Sequence, residues 1–312
     1  EHADDVSVLR RGRLVASHSV ADVSSEELAQ AMVGEEKSVS GPTLRREPRA
    51  SGALKLDVRS LDVRGDRGEP AVRQLSLQVR AGEIVGVAGV SGNGQQELMA
   101  ALSGEDTRAP AGSVTLFGKD IAAHSPRRRR NEGLHFVPEE RLGRGAVPTL
   151  SLAHNTLLTR TQTVSRAGWI STDRVRLLAE HVINRFNVKA GGTGAAAKSL
   201  SGGNLQKFIV GREIDADPKL LIVSQPTWGV DVGAAALIRG ELLKLRDAGC
   251  ALLVVSEELD ELFEISDRLI VIAQGRMSPS TPTAQATIER IGEWMSGLWD
   301  KNTTPEAAHA EA

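Results

Sequence analysis

Residues 89–96 have the spacing of a phosphate-binding loop. Gly89 and Gly94 fit the pattern G-x-x-x-x-G-K-[ST], in which backbone amides and a lysine hold phosphates and a hydroxyl holds Mg²⁺. This chain has Gln95 at the lysine position and Gln96 at the hydroxyl position. A neutral amide cannot supply the positive charge that phosphoryl transfer uses, so the loop predicts a nucleotide site without its catalytic groups. The residues of this degenerate site are Gly89, Gly92, Asn93, Gly94, Gln95 and Gln96.

Regular elements must flank this loop. The pattern predicts a buried strand over residues 83–88, before the loop, and a helix over residues 96–102, after it. Further apolar runs are typical of strands buried in a parallel sheet, and helical segments separate them. The predicted strands are 220–223, 251–255 and 269–272, the predicted helices are 234–248 and 259–265, and half-buried strands are predicted at 54–58 and 75–79. This alternation predicts an α/β fold with a largely parallel sheet.

Residues 199–207, S-L-S-G-G-N-L-Q-K, carry the most specific motif of the chain. They resemble the signature motif of the ABC transporter ATPases, and the similarity extends over most of residues 54–299. The resemblance implies a P-loop (RecA-like) ABC ATPase core with an antiparallel β subdomain. It also implies a helical subdomain, at about residues 146–212, that bears the signature.

Further motifs narrow the resemblance. Residues 218–227 are similar to the strand that carries the family's metal-binding aspartate and catalytic glutamate, and residues 229–234 to the loop after it. Residues 137–141 stand at the glutamine loop, with Glu139 at the glutamine position. The combination of G-N-G-Q, Q-P-T, G-V-D-V-G-A and L-S-G-G-N is most similar to importers of nucleosides and simple sugars. In those importers two ATPase domains are fused in one polypeptide.

The resemblance implies that the chain's own loop does not hydrolyse ATP. Ser224 stands at the position of the metal-binding aspartate, and Gln225 at that of the catalytic glutamate. Glu257 stands where the switch segment usually offers a histidine to the γ-phosphate. An amide cannot accept the proton of water, and a carboxylate repels phosphate. Backbone amides still attract anions, so whether this loop binds ATP is left open.

The signature keeps Ser201, Gly202 and Gly203, whereas Asn204 and Leu205 differ from the commoner form; asparagine is usual in these importers, and Leu205 has no explanation. In the family, ATP lies between the phosphate loop of one domain and the signature of the other. We therefore expect Ser201, Gly202, Gly203 and Asp231 to act in trans on ATP and Mg²⁺ held by a partner domain. The expected partners are a first ABC ATPase domain, integral membrane permease subunits and, indirectly, an extracytoplasmic solute-binding protein. The expected location is peripheral, at the cytoplasmic face of the cell membrane.

An internal repeat predicts the domain organisation. Residues 3–14 are similar to residues 266–277, and Gly12 and Gly34 recur as Gly275 and Gly297 at the same offset. We expect residues 1–34 to be the tail of a first ABC ATPase domain and residues 35–53 to be a linker. The second domain is expected at 54–300, with a disordered tail at 301–312.

Composition limits the other functions. The net charge of −2 gives no general attraction to nucleic acid, and no apolar run is long enough to span a bilayer. A single cysteine, Cys250, and the lack of a visible leader favour the cytoplasm. The histidines have no metal-ligand spacing, so no protein metal site is predicted. We interpret the arginines at 127–130 as a solvated helix face, and the four tryptophans as packing residues.

Two functions from different classes remain open. In the first, the chain is part of an asymmetric ATPase subunit of a nucleoside or sugar importer, and is weak or inactive alone. In the second, it is a non-hydrolytic module that docks on a membrane permease through residues 139–145 and 150–190. An ABC protein that acts on ribosomes or in DNA repair is disfavoured by the near-neutral charge.

Overall fold

The computed structural model describes residues 4–10, 13–23, 52–166 and 169–299. The recurrence at Gly34 lies outside the described residues, as do the disordered tail predicted at 301–312 and nearly all of the linker predicted at 35–53.

A mixed sheet dominated by parallel strands forms the centre of the molecule. Its order is β14-β13-β5-β12-β11-β8, and β15 pairs with β13. The strands are β5 (Ile84–Ala88), β8 (Leu134–Val137), β11 (Leu220–Ser224), β12 (Ala251–Ser256), β13 (Arg268–Ala273), β14 (Arg276–Met277) and β15 (Thr281–Pro282). β5, β8, β11, β12 and β13 run parallel to one another, whereas β14 and β15 are antiparallel to β13. The predicted strands of the core are confirmed, and the pattern missed β8.

Alternate residues of these strands enter two different cores. Leu221 and Val223 of β11 pack with the helices on one face, while Leu220 and Ile222 pack on the other face. Because side chains alternate along a strand, a strand covered on both faces must be apolar throughout. This explains the uninterrupted apolar runs in the sequence.

An antiparallel sheet covers the second of these faces. Its order is β4-β3-β6-β7, with β3 (Leu54–Arg64), β4 (Pro70–Arg80), β6 (Val114–Leu116) and β7 (Lys119–Asp120). Val58 and Leu77 share its core with Val85 of the central sheet. Helix α1 (Gln95–Ser103) packs into the same core through Leu98. The predicted half-buried strands thus belong to longer strands.

Along the chain, most helices fall between two strands of the central sheet. They are α2 (Pro126–Asn131), α3 (Leu152–Val164), α4 (Thr172–Arg185), α5 (Gly202–Ile214), α6 (Val232–Asp247), α7 (Leu259–Ile265) and α8 (Ile288–Met295). α3, α4 and the start of α5 form the helical region between β8 and β11, with a short hairpin of β9 (Ser165–Arg166) and β10 (Trp169–Ile170). None of the helices described is long and apolar enough to cross a membrane.

The N-terminal residues form a separate hairpin of β1 (Asp5–Arg10) and β2 (Arg13–Ser19). β1 begins 263 residues before β13 at Arg268, and β2 begins 263 residues before β14 at Arg276. The sequence repeat is therefore matched by a repeat of secondary structure.

Two expectations about side chains are confirmed only in part. Arg129 is fully buried, and its guanidinium donates to backbone carbonyls that include Ala101 and Leu102 at the end of α1. Arg127 and Arg128 are exposed as expected, whereas Arg129 is buried and Arg130 pairs with the buried Glu213, so only part of this run forms a solvated face. Trp169 and Trp228 are 84% and 57% exposed, so they are not core residues, whereas Trp294 is buried and Trp299 packs against the same core.

Candidate functional site

The phosphate-type loop connects β5 to α1, at the carboxyl end of the central strands. Gly94 precedes α1 with φ of 102°, a left-handed conformation that side chains disfavour. A methyl group added there would lie 2.5 Å from the carbonyl oxygen of Ala71. At Gly89 an added methyl would lie 2.6 Å from the carbonyl oxygen of Ile272. Glycine is therefore required at both ends of the loop by the fold itself.

Gln95 fills the loop with its own hydrogen bonds. Its side chain is 8% exposed, and Nε2 donates to the carbonyl of Val90 at 2.7 Å. Its Oε1 accepts from the backbone amide of Asn93 at 2.9 Å. Lysine has donors but no acceptor, so a lysine at this position could not accept this N–H. One of the amides expected to face phosphate is thus already bonded.

The turn between β13 and β14 holds the same loop from the other side. The amide of Gln274 donates to Oδ1 of Asn93 at 2.7 Å, and the amide of Gly275 donates to the carbonyl of Asn93 at 3.0 Å. Asn93 also donates from Nδ2 to Val90 at 2.8 Å. These bonds connect the loop to the turn between β13 and β14.

Ser224 and Gln225 lie at the carboxyl end of β11, where the strand pattern placed them. Both are buried, and Gln225 has a positive φ of 50°. Its Oε1 accepts from the hydroxyl of Ser256 at 3.4 Å and from the amide of Glu257 at 3.3 Å. The glutamine therefore connects the end of β11 to the switch segment rather than leaving its acceptor free for water.

Two acidic side chains, Glu139 and Glu257, lie near this end of the sheet. Burial raises the pKa of the Glu139 carboxyl, and the nearby charges of Glu140 and Glu257 act in the same direction. Glu139 and Glu257 are therefore close enough to repel each other. Their negative charges oppose the binding of phosphate beside them, while the charge of Arg144 acts on Glu139 in the opposite direction.

The signature residues stand at the start of α5. Ser201 is the N-cap of the helix, but its hydroxyl makes no capping hydrogen bond. Its Oγ accepts from Nδ2 of Asn204 at 2.9 Å, and its own hydrogen remains available to a ligand. Ser201 and Gly202 are exposed. The unbonded amides of the first turn carry the positive end of the helix dipole, so this terminus can receive an anion.

The loop after β11 lies against the signature. A methyl added at Gly203 would lie 3.4 Å from Oδ2 of Asp231, and one at Gly202 would lie 3.8 Å from the carbonyl of Gly229. Asp231 caps α6, because its Oδ1 accepts from the amide of Ala234 at 2.9 Å. The structure thus brings Asp231 together with the signature residues.

Several polar residues at these sites were missed from the sequence. Gln206 donates from Nε2 to the carbonyl of Pro226 at 2.9 Å, and its Oε1 accepts from Nε of Arg141 at 3.1 Å. The buried carboxylate of Glu261 accepts from Thr227 at 2.7 Å and from Ser256 at 2.9 Å. Position in a motif could have singled out Gln206 and Arg141. Nothing in the local pattern distinguishes Glu261 from the other acids of α7.

Among the described residues, no group of three or more histidine, cysteine, aspartate or glutamate side chains is arranged to bind a metal ion.

Known proteins resemble this fold and sequence. A family model described as "ABC transporter" matches residues 72–228. The nucleoside import ATP-binding protein NupA of Lactococcus lactis subsp. cremoris is 42% identical over 292 residues, which are 91% of this chain and 56% of NupA. The guanosine import ATP-binding protein NupO of Bacillus subtilis is 39% identical over 300 residues, 96% of this chain and 58% of NupO. The chain therefore spans about half the length of these relatives.

Solved structures agree on the fold. The ATP-binding cassette MJ0796, a dimer bound to ADP and Pi, has a TM-score of 0.64 at 20% identity, over 73% of this chain and 98% of that one. An ATP-binding subunit of an ABC transporter also has a TM-score of 0.64, at 18% identity, over 78% and 99%. The expected P-loop ABC ATPase fold is confirmed. The chain belongs to the ABC transporter family.

Proposed function

We propose that this chain is the C-terminal half of the ATP-binding subunit of an importer for nucleosides or simple sugars. Its own phosphate loop does not hydrolyse ATP, and its signature completes the ATP site of another ATPase domain. The observation that carries the proposal is the contrast between the two helix starts. The loop at α1 is bonded internally by Gln95, while the signature at α5 leaves Ser201 and its first amides open.

The residues at the first loop do not fit a hydrolytic ATP site. Neither Gln95 nor Gln96 supplies the cation or the hydroxyl that ATP and Mg²⁺ require, and Ser224 supplies no carboxylate. Gln225 is engaged with the switch segment and cannot act as a base. We infer that any nucleotide bound here through Gly92, Asn93 and Gly94 would not be turned over.

The residues at the signature fit a phosphate. Ser201 can donate a hydroxyl hydrogen bond, and Gly202 and Gly203 let a ligand approach the helix amides. Asp231 is held beside them by its cap on α6. ATP brings the phosphoryl group to be transferred, and Mg²⁺ offsets its charge. We propose that Ser201, Gly202, Gly203 and Asp231 serve ATP that is held mainly by the partner domain.

The repeat supports a fused pair of domains. β1 and β2 correspond to β13 and β14 at a constant offset of 263 residues, and the chain covers just over half of its relatives. We propose that residues 1–34 end a first ABC ATPase domain, that 35–53 link it to the domain at 54–300, and that 301–312 form a tail. On this proposal the first domain supplies the intact phosphate loop.

The transported solute is inferred from relatives. NupA and NupO are import ATP-binding proteins for nucleosides and guanosine, and a 41% identical relative from Haloferax volcanii is a glucose import ATP-binding protein. We infer a nucleoside or simple sugar. Membrane permease subunits and a solute-binding protein would select it, with this subunit peripheral at the cytoplasmic face.

A groove favours the second candidate, docking on a permease. It lies between the core and the helical region, and is lined by side chains that include Phe136, Arg144, Val147 and Leu158. Leu142, beside it in sequence, is 44% exposed, and Leu158 is 54% exposed. The groove includes part of residues 139–145, so an isolated copy of this chain is suited to act as a docking module without turnover.

The test compares two substitutions in the full-length fused subunit. Ser201→Arg should reduce transport-coupled ATP hydrolysis at least about a hundredfold, because it fills the signature with bulk and charge. Gln225→Ala should change hydrolysis less than about twofold, since Gln225 has no catalytic role. Phosphate release by reconstituted importer is the measurement. Ser296→Arg, at an exposed serine after α8, is the matched control and should leave the rate unchanged.

Equal losses from Ser201→Arg and Gln225→Ala would refute the division between the two sites. Turnover by the chain alone, before and after a first domain is supplied, separates the enzyme from the docking module. Substantial turnover by the chain alone would overturn the interpretation of Gln95 and Gln225.

A further inference from the structure

Arg141 lies between the two segments that form the signature site. It follows Glu139 and Glu140 in sequence, but its guanidinium is directed toward α5 and the loop after β11. A methyl added at Gly202 would lie 2.8 Å from its Nη1, and one at Gly229 would lie 3.4 Å from its Nη2. Both glycines are exposed, so the guanidinium reaches the open face of the signature.

Two contacts hold this guanidinium in position. Nε donates to Oε1 of Gln206 at 3.1 Å, and Gln206 is itself anchored to the carbonyl of Pro226. The ring of Trp228 stacks against the guanidinium, with 5.5 Å between Cζ and the ring centroid. This stacking also accounts for a tryptophan that is 57% exposed. An arginine held in this way loses little conformational entropy when it binds an anion.

The charge of Arg141 is uncompensated. Burial lowers the pKa of its guanidinium, and no neighbouring carboxylate opposes that shift. Among the described residues, Nη1 and Nη2 have no hydrogen-bond acceptor, in contrast to Arg144, which pairs with Glu105 and Glu140. Arg141 thus presents a planar pair of donors and a full positive charge beside Gly202.

We propose that Arg141 binds the terminal phosphate of the ATP that the signature receives, and so supplies a positive charge to the composite site. The proposal rests on the proposed function and deepens it. A helix N-terminus carries only about half an elementary charge, whereas a guanidinium carries a full charge and can bind two phosphate oxygens at once. Trp228 and Gln206 are positioning residues, because they act on ATP only through Arg141.

The test measures binding in the full-length fused subunit, with a non-hydrolysable ATP analogue that has an imido group between its β- and γ-phosphates. Arg141→Met should weaken binding of the analogue at the composite site about tenfold or more, because a hydrogen bond to a charged group is lost. Binding of ADP should be unchanged, since ADP lacks the terminal phosphate. Arg141→Lys keeps the positive charge but removes the planar pair of donors, so it should lose less affinity for the analogue than Arg141→Met.

A matched control is available at α8. Arg290 stacks on Trp294 at 4.7 Å from its ring centroid, and is exposed. Arg290→Met removes the same type of arginine–tryptophan contact away from the signature, and should leave analogue binding unchanged. Isothermal titration calorimetry gives each Kd.

Salt separates a phosphate contact from a merely structural role. If Arg141 meets the phosphate, the ratio of the Kd values of Arg141→Met and wild type should shrink as ionic strength rises, because screening weakens a charge interaction. A ratio that is independent of salt, or equal losses with ADP and with the analogue, would overturn the proposal. If Ser201→Arg also leaves binding and hydrolysis intact, the proposed function fails. If Ser201→Arg reduces hydrolysis but Arg141→Met leaves the Kd of the analogue unchanged, this inference alone fails.

Discussion

Single side chains determine how the polar groups at the starts of α1 and α5 are bonded. Gln95 both donates and accepts, so it satisfies the carbonyl of Val90 and the amide of Asn93 at once. A lysine would satisfy only the carbonyl and would leave the amide for phosphate. The substitution therefore removes a charge and also occupies a donor. At the end of β11, the side chain of Gln225 is likewise occupied by the protein itself, because its oxygen accepts from the amide of Glu257 in the switch segment.

Restoring the loop should restore binding without catalysis. The double substitution Gln95→Lys and Gln96→Ser frees the amide of Asn93 and adds a positive charge, so we expect nucleotide affinity of the chain to increase about tenfold or more. Phosphate release should stay at background because Ser224 and Gln225 are unchanged. A fluorescent ATP analogue and a phosphate-release assay measure the two quantities. Gln285→Lys, at an exposed position, controls for added charge. Clear turnover by the double variant would contradict this account.

At the scale of elements, the strand-to-helix connection depends on glycine. Gly94 combines a φ of 102° with a neighbouring strand that leaves no room for a methyl. Gly240, within α6, has no atom within 4 Å of an added methyl and an ordinary helical conformation. The two glycines therefore have opposite roles in stability.

Alanine substitutions should show this difference. Gly94→Ala should lower the free energy of unfolding by at least about 1–3 kcal/mol through strain and steric conflict. Gly240→Ala should raise it by about 0.4–1 kcal/mol, because alanine restricts the unfolded chain and favours helix. Urea unfolding followed by circular dichroism measures both. If Gly94→Ala were neutral, the loop would not have the described conformation.

A buried ionic cluster joins β8, at the edge of the central sheet, to α5, the helix that begins at the signature. Glu213 of α5 is fully buried and pairs with Arg130, with Nε of Arg212 at 2.9 Å and with Nδ1 of His135 at 3.0 Å. Arg212 continues the cluster by donating to the carbonyls of Asn155 and Gly145 at 2.9 Å. The cluster thereby connects the helical region to β8 and to the docking groove.

Removal of this carboxylate should destabilise the protein in a pH-dependent way. Burial opposes ionisation of Glu213, but the two arginines outweigh it and hold its pKa well below the ordinary value of 4.5. The ionised group therefore stabilises the fold above pH 4.5, and that contribution falls as the pH decreases below this value. We expect Glu213→Gln to cost about 3–5 kcal/mol at neutral pH. The difference in the free energy of unfolding between Glu213→Gln and wild type should become smaller at acidic pH.

Urea unfolding at neutral pH and at about pH 3 tests this dependence. Glu180→Gln, at an exposed glutamate of α4, should change stability little at either pH. A difference between Glu213→Gln and wild type that grows in acid would contradict the assigned pKa direction.

For the whole molecule, Cys250 reports on global folding. Its thiol is the only one in the chain, it is buried, and burial raises its pKa to about 12. We expect native protein at pH 8 to react with iodoacetamide about a thousandfold more slowly than unfolded protein, because the thiolate is the nucleophile. Mass spectrometry over a urea series should give labelling that follows the unfolding transition. Rapid labelling without urea would show that β12 opens locally.

Sequence patterns alone predicted much of this molecule. The uninterrupted apolar runs identified β11, β12 and β13, because a strand buried on both faces must be apolar on both. Motif spacing also placed Gly89, Gln95, Ser201 and Asp231 in their segments, since these features are local in the chain. The exposure of Trp228 and the burial of Arg129 could not be predicted. They depend on neighbours that are distant in sequence.

The sequence by itself indicated the family, most strands of the central sheet and the residue types at the first loop, because each is a property of local residue types and spacing. Only the tertiary structure decided how the remaining polar groups are used. Packing turns Gln95 inward onto its own loop and carries Arg141 across to Gly202. The physical reason is that a hydrogen bond or an uncompensated charge depends on which atoms surround it, and those atoms come from separate elements of the fold.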